Sequence, residues 1–251
     1  MRYAIVLICL FSTTLFALVS IAPVDIGANP GISGNISGAL SSKSGNTQKE
    51  DYALGVRLQY DQGEKYLTWG ALTYDYGKSK GVKNEDKIYL HIRTIHALEE
   101  GKNWTGELFV QSEQDKFKAI NERSLAGAGL RLRFFNSDEW GKGYVGAGPF
   151  YEKIDYTYPA INPNENNTRL NTYIAYTKKF IGGLRVSYLG YYQPSFAHGG
   201  DYTSSQTIEM IAPLYAKLSL SLSGKYLYDT QPAIGIKKED TAYLTTLLWS
   251  F

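Results

Sequence analysis

The chain has 251 residues, 43% hydrophobic and 20% charged, with 21 Tyr, 25 Gly and a single Cys, which is one domain's worth of chain. Twenty-six Lys and Arg oppose 24 Asp and Glu, for a net charge of +2, and the mean hydropathy is -0.27. These values exclude a polytopic bundle of apolar helices. They also argue against a nucleic-acid partner, which would need a clustered basic excess.

The chain opens on Met1-Arg2-Tyr3 and an apolar run from Ala4 to Ala22. A positive start followed by such a run is the pattern of a secretory signal peptide. It is assigned to residues 1–22, with the cut between Ser20 and Ala28, and residues 31–251 form the remaining domain. Cys9 lies inside the leader, so the mature chain has neither a disulfide framework nor a thiolate metal site.

From Ile32 onward the apolar period is two. Tyr52, Leu54, Val56, Leu58 and Tyr60 alternate with Ala53, Gly55, Arg57, Gln59 and Asp61; Leu218, Leu220 and Leu222 alternate with Ser219, Ser221 and Ser223. At roughly ten residues per crossing, the pattern predicts about twelve strands. Their expected starts are near Ile32, Lys49, Lys65, Asn84, Trp104, Glu122, Gly141, Asn167, Gly183, Tyr202, Leu218 and Lys238. Turns after even-numbered strands are compact, as at Asp61–Glu64, Glu99–Asn103 and Ile181–Gly183. Those after odd-numbered strands are longer and polar, as at Lys78–Lys83, Tyr156–Asn167, Pro194–Asp201 and Thr230–Lys237. Short turns on one side and long loops on the other predict an antiparallel transmembrane β-barrel of the bacterial outer membrane, with both termini in the periplasm.

A soluble barrel has the same period, but its polar face is long and heavily charged. Here that face mixes Gly, Ser, Thr and Tyr with isolated charges, which suits a wet lumen. Tyr pairs near strand ends (Tyr74 and Tyr76, Tyr156 and Tyr158, Tyr191 and Tyr192, Tyr226 and Tyr228) are expected to form interfacial girdles. The last strand carries Tyr243, Thr245, Leu247, Trp249 and the terminal Phe251 on one face. Tyr243, Leu247, Trp249 and Phe251 resemble the C-terminal signal read by the barrel-assembly machinery.

Residues 34–251 resemble the domain-of-unknown-function 481 family. The resemblance is carried by Tyr74-Asp75-Tyr76-Gly77, Leu125-Ala126-Gly127-Ala128-Gly129-Leu130-Arg131, Tyr144-Val145-Gly146-Ala147-Gly148 with Phe150-Tyr151-Glu152, Arg169-Leu170-Asn171, Tyr191-Tyr192-Gln193-Pro194 and the ending from Lys237 to Phe251. It implies an outer-membrane barrel without an agreed function, in a family whose members are often labelled salt-induced. It brings no catalytic residue.

No catalytic, metal or cofactor-binding set is expected. His91 and His96 share a strand at an odd spacing and so face opposite sides, while His198 falls in a loop without a nucleophile elbow beside it. That weakens the reading as an outer-membrane lipid hydrolase. The period instead directs a charged set inward: Arg57, His91, Arg93, Glu107, Glu113, Arg131, Arg133, Glu152 and Arg169, with Gln111, Asp115, Arg185, Glu209 and Lys225 extending it. Acids on one strand flanked by bases on its neighbours either brace a closed interior or form a constriction that sorts small solutes by charge. The expected role is therefore a non-enzymatic envelope protein, with a narrow diffusion channel as the alternative. The expected partners are outer-membrane lipids and the assembly machinery, no nucleic acid is expected, and the default state is a monomer.

Overall fold

A computed structural model describes residues 22–43 and 49–251; residues 1–21 of the predicted leader, which is assigned to 1–22, lie outside the described residues. The strands are β1 (Gly31–Lys43), β2 (Lys49–Asp61), β3 (Tyr66–Ser79), β4 (Val82–Ala97), β5 (Trp104–Asp115), β6 (Ile120–Ser137), β7 (Gly141–Tyr156), β8 (Glu165–Lys179), β9 (Arg185–Pro194), β10 (Tyr202–Tyr215), β11 (Leu218–Asp229) and β12 (Glu239–Ser250). Each pairs antiparallel with its sequence neighbours, and β12 returns to β1 to close the barrel. Every predicted strand start lies within two residues of the observed one.

The barrel is inside out. Along β2 the large apolar side chains Leu54, Val56 and Leu58 are exposed, while Asp51, Ala53, Arg57 and Asp61 are buried within. On β12, Tyr243, Leu247 and Trp249 are exposed, as is Phe251 just beyond it, while Ala242, Leu244, Thr246 and Leu248 are buried. Only an apolar solvent makes such an exterior favourable, because closure satisfies every interior backbone group and leaves the greasy face for lipid. Among the described residues the interior has no continuous apolar core. Its apolar packing is split into small clusters, such as Phe109 with Leu125 and Phe150 and Tyr144 with Tyr173 and Ala175.

The strands define two rims. The terminal rim holds the start of β1, the end of β12 and the turns after even-numbered strands; the opposite loop rim holds the connections after odd-numbered strands. One expected long loop is absent: Lys78–Lys83 is almost all strand, and β3 reverses into β4 over Lys80 and Gly81 alone. Both residues have positive φ (49° and 77°), which is the backbone a tight hairpin with right-handed strand twist requires. The girdle expectation also needs correction at two positions. Adjacent residues on a strand face opposite sides, so with Tyr192 exposed Tyr191 points into the lumen and meets Arg93, while Tyr156, on the inward row of Glu152, is buried and meets Glu165.

The closing seam is the shortest pairing among the described residues. β1 meets β12 over Asn35–Gly38, whereas β1 meets β2 from Gly31 to Lys43. The terminal Phe251 extends the seam by exchanging backbone hydrogen bonds with Gly34 in both directions, each 3.0 Å.

Candidate functional site

The lumen is built from the inward positions of the strands, and it encloses a cavity of about 390 Å³. All nine residues of the predicted charged set lie on this inner face. Arg57, His91, Arg93, Glu107, Glu113, Arg131, Glu152 and Arg169 are buried, and Arg133 is partly so.

Toward the loop rim the charges form a belt of alternating sign that steps from strand to strand. Lys87 Nζ on β4 donates to Glu113 Oε1 on β5 at 2.6 Å, and Glu113 Oε2 lies 3.6 Å from Arg123 on β6. Arg123 Nε donates to Glu152 Oε1 on β7 at 2.8 Å, and Glu152 Oε2 accepts from Arg169 Nε on β8 at 3.1 Å. Arg169 then clamps Asp201, in the β9–β10 loop, through two bonds of 3.0 Å. Register makes this possible, because Glu113 stands directly across from Arg123, and Phe150 and Arg169 face each other two places from Glu152. A buried ion costs several kcal/mol unless paired, so neighbouring strands supplying opposite signs is the arrangement that lets so many charges be enclosed.

At the waist, long side chains narrow the passage. Arg93 on β4 reaches Tyr191 on β9, five strands away, at 3.4 Å, and Glu107 on β5 accepts from Tyr173 Oη on β8 at 2.7 Å. Arg93 also lies 3.6 Å from Glu107 and over the Phe109 ring. The guanidinium of Arg57 stacks 4.3 Å above Trp69, and the His91 ring stacks on the same Trp69 at 4.5 Å. Cations held against aromatic faces remain turned toward the passage.

At the terminal rim the chain folds back on itself. Residues 22–30, which precede β1, enter the barrel mouth. Ile26 packs on Leu67 and Ile95, and the Asp61 carboxylate accepts from the backbone N–H groups of Gly27 and Asn29. Gly27 has φ +84°, and a Cβ there would sit 2.5 Å from the carbonyl oxygen of Gly63, so only glycine fits this approach. Asp25 is surrounded by Lys142 Nζ at 2.7 Å, Tyr144 Oη at 2.8 Å and the guanidinium groups of Arg131 and Arg133, each at 3.5 Å. Burial raises its pKa, but the bonds from Lys142 and Tyr144 and the nearby positive charges outweigh that and hold the carboxyl below the usual aspartate value.

The histidines do not assemble a nucleophilic pair. His91 Nδ1 lies 2.9 Å from Tyr89 Oη and 2.8 Å from Gln111 Nε2, and His96 contacts the carbonyl of its neighbour Ala97. Ser195 is near His198 only as a turn acceptor: its hydroxyl receives the backbone N–H of His198 and donates to Asn167. The loop rim is capped by the β11–β12 loop, whose Ile234 N–H donates to Asn162 at 2.7 Å and whose Ala233 is buried.

Sequence reasoning missed Lys87, Arg123, Asp201, Trp69, Tyr173 and Asp25. The phase of β3, β4, β6 and β8 would have placed Trp69, Lys87, Arg123 and Tyr173 inward. Nothing local marks Asp201 or Asp25, since a loop and a leader-proximal segment carry no strand period.

The family model "Protein of unknown function, DUF481" matches residues 36–251. No curated protein matches. Among solved structures, a NanC porin superposes with a TM-score of 0.53 at 8% identity, covering 87% of this chain and 99% of that one, which shows the shared fold. The β domain of the autotransporter BrkA of Bordetella has a TM-score of 0.43 at 12% identity, covering 89% of this chain and 99% of that one. The translocator domain of NalP from Neisseria meningitidis also scores 0.43, at 10% identity, covering 88% and 87% respectively.

Proposed function

The chain belongs to the DUF481 family, and from that premise and the lumen geometry we propose that it is a non-enzymatic outer-membrane channel for small anionic solutes. In this reading the terminal rim faces the periplasm and the loop rim the outside, as the shorter turns at the terminal rim suggest. The observation that carries it is the composition of the cavity wall. Residues from Ala22–Val24 at one mouth to Lys237 and Lys238 at the other line one continuous space, and those facing it directly include ten Lys and Arg against six Asp and Glu, while the acids Asp51, Asp61, Glu85, Glu107, Asp115, Asp201 and Glu209 are buried outside that lining. A wall with surplus fixed positive charge concentrates anions and repels cations. The waist sets the size limit, because Arg93 bridges toward Tyr191 across the passage.

The test is single-channel recording of the refolded mature protein beside Arg93→Ala and Glu113→Ala. Removing the Arg93 bridge is expected to raise conductance, and removing Glu113 to strengthen anion preference. A correctly inserted barrel that stays silent in all three forms, and again once residues 22–30 are removed, would overturn the proposal in favour of a bracing role. The plug formed by residues 22–30 favours that second reading, and its removal is the arm that separates the two: a barrel still silent without it does not conduct.

A further inference from the structure

We propose that Arg131, Arg133, Lys142 and Tyr144 form a binding site for small carboxylate solutes at the terminal rim, which Asp25 occupies as a tethered surrogate. A free carboxylate would then compete with the chain's own N-terminal segment for entry to the lumen. The inference deepens the channel reading and rests on it for the solute's route.

The two rims place their charges differently. In the belt near the loop rim, every anion sits on a strand beside its cations or in the adjoining β9–β10 loop, as bracing requires. At the terminal rim the cations are likewise fixed, on β6 and β7, but their anion is not on a neighbouring strand. It is Asp25, on a segment outside the sheet that is held by Ile26 and by the Asp61 bonds to Gly27 and Asn29. Three cations and a phenol hydroxyl converge on that single carboxylate. Among the described residues the other acid beside them is Glu107, which is 3.9 Å from Arg131 and already engaged by Arg93 and Tyr173. Arg131 also stacks over the Tyr144 ring at 4.2 Å, a contact within the sheet that pre-sets it without the segment, whereas its bond to the carbonyl of Val24 belongs to the segment itself. A planar fork, a point charge and a hydroxyl aimed at one spot is the donor set that recognises a carboxylate. The wall leading inward from it is basic and aromatic, through Arg93, Tyr173 and Trp69.

The test places a cysteine at Ile26 in a chain that also carries Cys9→Ser, and follows its reaction with a membrane-impermeant maleimide in proteoliposomes. Asp25→Asn should accelerate labelling by at least about tenfold, the scale of one lost charge-assisted contact. Succinate should accelerate it in a saturable way, beyond sodium chloride at matched ionic strength, and Arg131→Gln should abolish that excess. Val24→Cys serves as a second reporter should Ile26→Cys impair folding. Equal acceleration by succinate and chloride, or labelling indifferent to Asp25→Asn, would overturn the proposal. So would a mass measurement showing that the mature chain begins after Asp25. Succinate-sensitive labelling in a barrel that does not conduct would sink the channel and keep the site; conduction with succinate-insensitive labelling would do the reverse.

Discussion

Glu152 is the hub of the belt, and its loss can be sized from the contacts around it. The carboxylate is buried and accepts one charged bond from Arg123 at 2.8 Å and another from Arg169 at 3.1 Å. Breaking a fully desolvated pair costs about 3–5 kcal/mol. Two features reduce that figure here: Arg169 keeps both bonds to Asp201, and Arg123 keeps Glu113 at 3.6 Å while its side chain is 22% exposed to the lumen. Glu152→Gln retains a neutral acceptor and removes the charge, so the net cost is expected to be about 2 kcal/mol. Combining it with Arg123→Met should recover about 1–2 kcal/mol as coupling, because the double variant no longer strands one charge. The assay is reversible urea unfolding in lipid vesicles for the four members of the cycle. Additivity within about 0.3 kcal/mol would refute the reasoning, since it would mean that lumen water screens these contacts as it screens a surface pair.

The remaining expectations concern the two rims and the two faces. The Asp25 pKa is depressed in the folded chain, so the stabilisation it gives is fully present above the ordinary aspartate value near 3.8 and is lost as pH falls through the lower folded value. A spin label at position 26 should therefore stay immobile from neutral pH down to that window, and mobility appearing above about pH 5 would contradict the assignment. Deleting Phe251 removes its paired backbone bonds to Gly34 at the short seam and the last outward aromatic, and should lower the yield of heat-modifiable barrel in the outer membrane. Cysteines at Arg57 and Glu113 should react with water-soluble maleimide, whereas those at Val56 and Leu130 should react only once lipid is stripped away.

The barrel was legible in the sequence because one physical requirement repeats in every strand. A lipid-facing surface must be apolar and a wet interior must not be, and at a period of two the pair of requirements prints itself on Tyr52–Asp61 or Leu218–Ser223 without long-range information. What the period cannot convey is which inward residues meet. Arg93 and Tyr191 lie 98 positions apart and face each other only because twelve strands close. Asp25 was hidden for a different reason. It follows an apolar leader and precedes the first strand, so no pattern distinguished a segment to be discarded from one that returns to the mouth and binds Lys142, 117 positions on. The Lys78–Lys83 loop was misread because Lys, Ser and Gly suit both an exposed loop and the protruding end of a long hairpin, and only the backbone at Lys80 and Gly81 decides between them.

The central claim is that the lumen conducts and favours anions, and the most direct measurement is the reversal potential of single channels under a tenfold potassium chloride gradient. The surplus of basic over acidic residues among those facing the passage directly predicts a potential displaced toward the chloride equilibrium value, with the displacement shrinking as salt screens the fixed charge. A potential displaced toward potassium, or no current from barrels shown to be inserted and freed of residues 22–30, would contradict it.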